Sequence, residues 1–208
     1  MAAVDYKLIK NFFNKDELKV YQKYCYNRLD LNKDYVIGNQ SFSPSWYKDP
    51  LMSSILEEKL TFVEKLSNLK LFPTYAYWRY YVYGGLLRKH LDRPACEISI
   101  TACIKKQDNW PIVVEDMIVE LEEGDALLYK GCVQEHWRPG VYKGDGMAQV
   151  FMHYVDQKGP FTHHAYDEIL KTQLIKRTKE DDIILAKIRK ERKDELKLFN
   201  SGKNLVDT

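Results

Sequence analysis

The sequence predicts an α+β fold in which N-terminal helices pack against an antiparallel β-sandwich or barrel. Apolar residues before position 71 repeat at helical spacing. Between residues 71 and 156, β-branched and aromatic residues dominate in short blocks that Gly, Pro and Asp separate. Because no helix-length segment lies between these blocks, the βαβ units of a parallel sheet are excluded.

Length and composition narrow the class of protein. The chain has 208 residues, of which 45% are hydrophobic, enough to bury one sizeable core. The 32 basic and 30 acidic residues give a net charge of +2, too balanced for a dedicated nucleic-acid binder. The first ten residues lack the apolar region of a signal peptide, and no segment is apolar enough to span a bilayer. We therefore expect a cytoplasmic protein with no nucleic-acid or membrane partner.

The four cysteines, Cys25, Cys96, Cys103 and Cys132, are widely spread and form no Cys-x-x-Cys pair. This spacing argues against a zinc ribbon and a thioredoxin-type redox site. Free and mostly buried thiols are expected.

The N-terminal elements follow from local signals. Residues 6–13 suit a strand, and Asn14 with Glu17 forms a capping-box-like start for an amphipathic helix. Residues 38–50 are rich in turn formers and predict a long loop. Asp49 and Pro50 then suit the N-cap and first position of a second helix, whose apolar residues continue to Leu66.

Six strands are expected in the central part of the chain, at residues 74–83, 96–105, 111–114, 117–121, 125–130 and 147–155. After Gly159 and Pro160 the helical periodicity returns in a tail of mixed charge. The apolar stripe of this tail helix can pair with another subunit, which would give a homo-oligomer. His163 and His164, just before the tail helix, are expected to be exposed to solvent.

Two histidines and one aspartate suggest a metal site. His90 and Asp92 are two residues apart, and side chains at this spacing in an extended segment project to the same side. His136 follows an apolar strand that begins at the Gly124-Asp125 turn, and a neighbouring strand can bring its ring beside the first pair. Two imidazoles and one carboxylate form the triad that binds non-haem Fe(II) and leaves three positions open. The alternative is a hydrogen-bonded structural pair at His90 and Asp92.

With these residues in place, the chain resembles the Fe(II)/2-oxoglutarate-dependent dioxygenases, and within them the prolyl-4-hydroxylase-like branch, over most of residues 5–160. The residues that carry the resemblance are the N-terminal segment 8–17, the Tyr80-Tyr81-Val82-Tyr83-Gly84-Gly85 approach, His90-x-Asp92, the strand entry Gly124-Asp125-Ala126-Leu127-Leu128, His136 and the closing segment 149–156. The resemblance implies a double-stranded β-helix, or jelly roll, backed by the N-terminal helices. It also implies a division into an oxygenase-like domain at residues 1–160 and a charged helical tail at 161–208.

The resemblance further implies Fe(II) as cofactor with 2-oxoglutarate and O2 as co-substrates. His90, Asp92 and His136 match the iron ligands, and Tyr81 matches a tyrosine that contacts 2-oxoglutarate, with Tyr80 as the alternative if the register slips by one. The implied reaction couples decarboxylation of 2-oxoglutarate to succinate with hydroxylation of a substrate C–H bond, on peptidyl proline or a small molecule.

One position departs from the family pattern. The family usually places an Arg or Lys on the strand after the distal histidine, where it pairs with the far carboxylate of 2-oxoglutarate, and residues 147–153 here contain neither. The candidates to replace it are residues whose side chains point inward if side chains alternate regularly along each strand. Arg138 comes first, followed by Gln149, Arg79 and Lys105. This departure leaves open a second reading, a cupin-like barrel that binds a metal or a small acid without 2-oxoglutarate chemistry.

Overall fold

The computed structural model describes residues 6–31, 35–37, 41–167 and 177–200. Its helices are α1 (Lys15–Leu31), α2 (Pro50–Glu58), α3 (Leu60–Ser67) and α4 (Lys179–Asn200), with 3-10 turns at Pro94–Cys96 and Thr162–His164. Its strands are β1 (Tyr6–Ile9), β2 (Val36–Ile37), β3 (Pro44–Tyr47), β4 (Leu71–Tyr81), β5 (Leu87–His90), β6 (Ile98–Lys106), β7 (Ile112–Val114), β8 (Met117–Val119), β9 (Ala126–Tyr129), β10 (His136–Arg138) and β11 (Met147–Asp156).

These strands form two antiparallel sheets, which confirms the α+β jelly-roll prediction. The major sheet has the order β1-β9-β6-β11-β4-β3-β2, and the minor sheet has the order β5-β10-β7-β8. Strand β11 lies at the centre of the major sheet and pairs with both β4 and β6 along most of its length. Side chains from both sheets pack together between them, so the minor sheet covers the inner face of the major one.

The alternation of side chains on β11 explains how the major sheet is buried on both faces. Val150, Met152 and Tyr154 join the core that α2 and α3 cover, while Phe151 and His153 face the minor sheet. A strand with two buried faces reads as a nearly continuous apolar run, as residues 147–155 do. The inner face, between the two sheets, is the part of the fold that can hold a site.

The six predicted strands all occur, with ends shifted by up to three residues, but two other predictions were wrong. The predicted loop at 38–50 contains β3, which pairs with β4 and places Trp46 flat on Trp78, with ring centroids 4.0 Å apart. Burial of this indole pair outweighs the local turn preference. Residues 38–40 lie outside the described residues. The second helix is interrupted at Lys59, where ψ is −5° and the ammonium reaches Glu17 of α1 at 2.8 Å.

Helix α4 packs on the barrel through its apolar stripe. Leu185 is fully buried against Cys132, Val155 and Phe161. Arg192 donates two hydrogen bonds of 2.6 Å to the Glu115 carboxylate. The stripe that we expected to pair with another subunit is thus used within the chain, and the homo-oligomer has no support here. The domain boundary at residue 160 stays a prediction.

All four cysteines are free and buried, as expected. Within the described residues, none of the helices combines the length and apolar character needed to cross a membrane.

Asp49 connects α2, α1 and the major sheet. Its carboxylate accepts hydrogen bonds from the backbone N–H groups of Leu51 and Met52 at the start of α2. It also accepts from the Tyr24 hydroxyl at 2.7 Å and the Trp78 indole at 3.3 Å, and it is 1% exposed. Removing it leaves several buried donors without an acceptor.

We expect Asp49→Ala to lower the free energy of unfolding by about 3 kcal/mol, because a helix cap and a buried acceptor are lost together. Urea denaturation followed by circular dichroism measures this change. The matched control is Asp16→Ala, which removes an exposed carboxylate paired with the also exposed Lys19 at 3.4 Å and should change the free energy by less than about 0.5 kcal/mol. Equal effects of the two substitutions would contradict the role of Asp49.

Candidate active site

The pairing of β5 with β10 brings the two predicted histidine ligands together. His136 lies directly opposite His90 in the register, and their ring centroids are 4.3 Å apart. Asp92, just beyond β5, is held by a hydrogen bond from its backbone N–H to the Gly131 carbonyl at 2.9 Å. The Nε2 atoms of His90 and His136 each lie 3.5 Å from one oxygen of the Asp92 carboxylate. The three side chains can therefore hold one metal ion.

The tautomer of both rings suits metal ligation. Nδ1 of His90 lies 2.7 Å from the Arg88 carbonyl, and Nδ1 of His136 lies 2.9 Å from the Gln134 carbonyl. A carbonyl oxygen only accepts hydrogen bonds, so Nδ1 carries the proton in each ring. When the ring is neutral, the lone pair is therefore on Nε2, the atom that faces Asp92. Such hydrogen bonds from the second ring nitrogen orient metal-bound histidines in proteins generally.

The charges of the triad also suit a divalent cation. Burial opposes ionisation of Asp92, but the neighbouring His136 and the hydrogen bond with His90 outweigh it and lower the pKa of this carboxyl to about 2. Burial lowers the pKa of His136, so that ring is neutral at pH 7. Burial also opposes protonation of His90, but contact with Asp92 raises its pKa. An ionised carboxylate beside imidazoles attracts a cation, which would displace the proton from His90.

Aromatic side chains form the walls around the triad. Tyr77 and Phe151 stack with ring centroids 4.7 Å apart, and Tyr129 meets His136 edge to face at 4.8 Å. His153 lines the same cavity. Its Nδ1 lies 2.9 Å from the Ser99 hydroxyl, while its Nε2 has no hydrogen-bond partner in the described structure. Burial lowers the pKa of His153 to about 4, so the ring is neutral.

Two arginines lie deeper in the inner face. Arg79 is 7% exposed; its Nε donates to the Ser45 hydroxyl at 2.9 Å, and its Nη1 donates to the Tyr81 hydroxyl at 3.2 Å. Arg138 is 3% exposed and donates from Nη1 to the Trp110 carbonyl, but its Nε and Nη2 have no hydrogen-bond partner among the described residues. Neither guanidinium forms an ion pair with a carboxylate in the described ranges. Burying a cation without a counter-charge is costly, which points to an anion that binds there.

Tyr81 and Gln149 complete this polar group. The guanidinium of Arg138 lies 6.0 Å from the Tyr81 ring centroid, and Gln149 lies opposite Arg79 where β11 pairs with β4. The Gln149 side chain accepts a bond from Thr101 at 3.4 Å, and its Nε2 donor has no partner within the described part of the chain. Four of the predicted residues, Arg79, Tyr81, Arg138 and Gln149, are thus brought together.

Two other candidates for binding 2-oxoglutarate, Tyr80 and Lys105, lie outside this polar group, as do the charged residues Arg93 and Glu135 beside the metal-ligand candidates. Tyr80 packs in the core on the helix side of the sheet, so Tyr81 has the inward register. Lys105 is half exposed, with its ammonium 3.7 Å from Glu123. Arg93 pairs with Asp167 and covers the Tyr75 ring at 4.3 Å, and the Glu135 carboxylate pairs with Lys89 at 3.0 Å.

Sequence reasoning missed Gly131 altogether. A Cβ at this position would lie 2.5 Å from Oδ2 of Asp92, 2.5 Å from Oγ of Ser99 and 2.9 Å from the Cys96 carbonyl. A glycine between two short strands is common in loops, so its position under Asp92 gave no signal in the sequence.

Comparison with known proteins supports the fold but gives no close relative. No family model matches the chain, and no curated protein matches it. Solved structures, by contrast, do match the fold of this chain. The prolyl-4-hydroxylase of Pseudomonas putida has a TM-score of 0.56 at 12% identity, over 74% of this chain and 93% of that one. The collagen prolyl hydroxylase of Paramecium Bursaria Chlorella virus-1, solved with 2-oxoglutarate, has a TM-score of 0.55 at 12% identity, over 73% of this chain and 96% of that one.

The similar structures are not limited to prolyl hydroxylases. The non-haem α-ketoglutarate-dependent epimerase SnoN of nogalamycin biosynthesis has a TM-score of 0.59 at 12% identity, over 73% of this chain and 77% of that one. At such identities the likeness shows a shared fold, and this fold is the jelly roll of the 2-oxoglutarate/Fe(II) oxygenases.

We expect Gly131→Ala to weaken metal binding by about 10- to 100-fold although no ligand is changed, because the added methyl group displaces the Asp92 carboxylate. Titration with Co²⁺ under anaerobic conditions, followed by its visible absorption, measures the affinity. Near-ultraviolet circular dichroism checks that the variant is folded. Unchanged Co²⁺ affinity in a folded variant would show that Gly131 does not position Asp92.

Proposed function

We propose that the protein is an Fe(II)- and 2-oxoglutarate-dependent oxygenase that hydroxylates a C–H bond of its substrate. The observation that carries this proposal is the cavity between the sheets. Two imidazoles and an ionised carboxylate line it, and the Arg79 guanidinium, which has no carboxylate partner among the described residues, lies against its Tyr77 and Phe151 walls. A dicarboxylic keto acid can bind the metal through its keto-acid end and a guanidinium through its far carboxylate.

The rings of Tyr77 and Phe151 lie between the triad and the Arg79 guanidinium. Both line the cavity with His90, and the Arg79 guanidinium lies 5.6 and 5.8 Å from their centroids. A ligand that occupies this space is therefore shielded from water by aromatic walls. Exclusion of water strengthens the interaction of a carboxylate with a guanidinium.

Each side chain then has a role that its surroundings permit. His90, Asp92 and His136 would hold Fe(II) and leave three positions open for the keto acid and O2. Arg138, with Tyr81 and Gln149 beside it, would bind the far carboxylate of 2-oxoglutarate, and Arg79 would orient the Tyr81 hydroxyl. The bound metal would supply the activation of O2 for a reaction in which O2, 2-oxoglutarate and the substrate C–H bond give succinate, CO2 and the hydroxylated product. One oxygen atom enters succinate and the other enters the product.

The substrate is peptidyl proline or a small molecule in this proposal. Two of the similar structures are described as prolyl hydroxylases and a third as an epimerase, so the fold serves both kinds of substrate in those proteins. We also propose a cytoplasmic location, which the four free buried cysteines support, because thiols persist in a reducing compartment.

The second candidate is a cupin-like barrel that binds a metal or a small acid without 2-oxoglutarate chemistry. It is favoured by the closing strand β11, which contains neither Arg nor Lys. Arg138 offers a cation from the opposite sheet instead, so the two candidates differ in whether a keto acid binds beside the metal.

We expect anaerobic addition of Fe(II) and 2-oxoglutarate to the apoprotein to produce the visible charge-transfer absorption of a keto acid chelated to iron. His90→Ala should abolish this absorption, because a ligand is lost. With O2 present, the wild type should release succinate and the variant should not. Stoichiometric iron without the absorption band would instead favour the cupin-like barrel.

We expect Arg138→Met to raise the dissociation constant of 2-oxoglutarate by about 10- to 100-fold while the iron affinity changes little, because the charged partner of the far carboxylate is lost. Titration of the charge-transfer band with 2-oxoglutarate measures this constant. Lys105→Met is the matched control, since it removes a cation that faces solvent and Glu123, and should leave the constant unchanged. If Arg79→Met raises the constant and Arg138→Met does not, Arg79 and not Arg138 binds the carboxylate.

A further inference from the structure

A second cluster of potential metal ligands lies at the base of α4, away from the triad. It consists of His163 and His164 in the 3-10 turn Thr162–His164, and Asp181 in the first turn of α4. The prediction that both histidines are exposed was wrong for His164, which is 1% exposed. The sequence signals a turn after Pro160, but the helix that covers the turn begins well beyond it.

The three side chains converge. Nε2 of His163 lies 2.9 Å from Oδ1 of Asp181, and Nε2 of His164 lies 3.5 Å from Oδ2 of the same carboxylate. The two imidazole rings have centroids 4.3 Å apart. One ligand atom from each of the three side chains lies within 4.8 Å of the others. A metal ion with bonds of 2.0–2.2 Å in tetrahedral geometry separates its ligand atoms by about 3.4 Å, so a small adjustment of the rings would suffice to bind one.

Hydrogen bonds within the described residues do not account for this arrangement. Both ring nitrogens of the buried His164 and Oδ1 of Asp181 have no hydrogen-bond partner there. Buried polar atoms are nearly always paired in folded proteins, so unpaired atoms on two side chains that approach each other need an explanation. A hydrogen bond between His163 and Asp181 would account for the 2.9 Å contact, but it would leave both nitrogens of His164 without a partner among the described residues.

The carboxylate is held in place independently of the histidines. Asp181 is 0% exposed, and its Oδ2 accepts hydrogen bonds from the backbone N–H and the hydroxyl of Thr178 at 2.7 and 3.0 Å. The Thr178 hydroxyl in turn accepts from the Asp181 N–H at 3.1 Å, which makes a reciprocal cap of α4. The cap uses Oδ2, so Oδ1 remains directed at His163.

We propose that His163, His164 and Asp181 bind a divalent transition-metal ion such as Zn²⁺, at a site separate from the triad. Two imidazoles and one carboxylate are a common Zn²⁺ ligand set, with water as the fourth ligand. The side chain of His163 is 42% exposed, which gives the ion and a water ligand access from solvent. Burial, together with the neighbouring His163, lowers the pKa of His164, so its ring is neutral and has a lone pair to donate.

The ion would fasten α4 to the barrel. The turn that carries the histidines follows β11, and the helix that carries Asp181 packs Leu185 against Val155 at the end of that strand. A metal ion that bridges the two would add to the apolar contact of Leu185, the Arg189 hydrogen bonds to the Cys132 carbonyl and the Arg192 ion pair with Glu115. None of its ligands belongs to the triad, so the site does not depend on oxygenase chemistry.

The test is the number of Zn²⁺ ions bound per full-length chain after equilibrium dialysis, measured by elemental analysis. We expect two ions for the wild type, one for His90→Ala, one for His163→Ala and none for the double variant. His163 is the best position to change because it is partly exposed, so the variant should fold normally. If His163→Ala binds as many ions as the wild type, the proposal is wrong.

Thermal unfolding gives a second measurement in the His90→Ala background, where the triad no longer binds the ion. Zn²⁺ should raise the melting temperature of His90→Ala, because an ion that binds only the folded state stabilises it. The same addition should leave His90→Ala/His163→Ala unchanged. Equal shifts in the two proteins would overturn the proposal, whatever the result for 2-oxoglutarate.

Discussion

The antiparallel pairing of β5 with β10 is the constraint on which the candidate active site depends. It places His136 opposite His90, although the two residues are far apart in the sequence. Each ring is further oriented by a carbonyl two residues earlier in its own chain segment, so the extended backbone fixes the tautomer as well as the position. On its other edge β10 pairs with β7, which encloses the distal histidine between two strands. A loss of register in this small sheet would separate the ligands without changing any of them.

Much of this arrangement could be predicted from the sequence, because the physical signals are local. Blocks rich in apolar, β-branched and aromatic residues identify β4, β6 and β11, and the spacing of His90 and Asp92 places both on one side of an extended segment. The short strand β5 could not be predicted in this way. The register shifts between the pairs His136 with His90 and Arg138 with Leu87, so one extra residue is inserted in β5. Residues three apart, Leu87 and His90, therefore both line the cavity, which a period of two does not allow.

Long-range packing determined what the sequence could not indicate. The inward direction of the Arg138 side chain can be predicted, because Arg138 lies two residues beyond His136 in the sequence. Its lack of a carboxylate partner among the described residues cannot be, because that depends on which acidic residues fold toward it. The burial of His164 has the same origin. Its neighbours in the sequence are typical of a surface turn, and only the arrival of α4 removes its ring from water. Errors of this kind concern residues whose environment is set by distant elements.

The ion pair between Arg192 and Glu115 has a consequence for the dynamics of the molecule. Glu115 directly follows β7, whose Val114 pairs with His136, and its backbone N–H donates to the Glu135 carbonyl. Helix α4 is thus tied to the strand that encloses the distal histidine, and we expect the two to open together in local unfolding. Amide hydrogens of β7 and α4 would then exchange with solvent water through a common opening event, and anything that loosens the helix would also loosen the enclosure of His136.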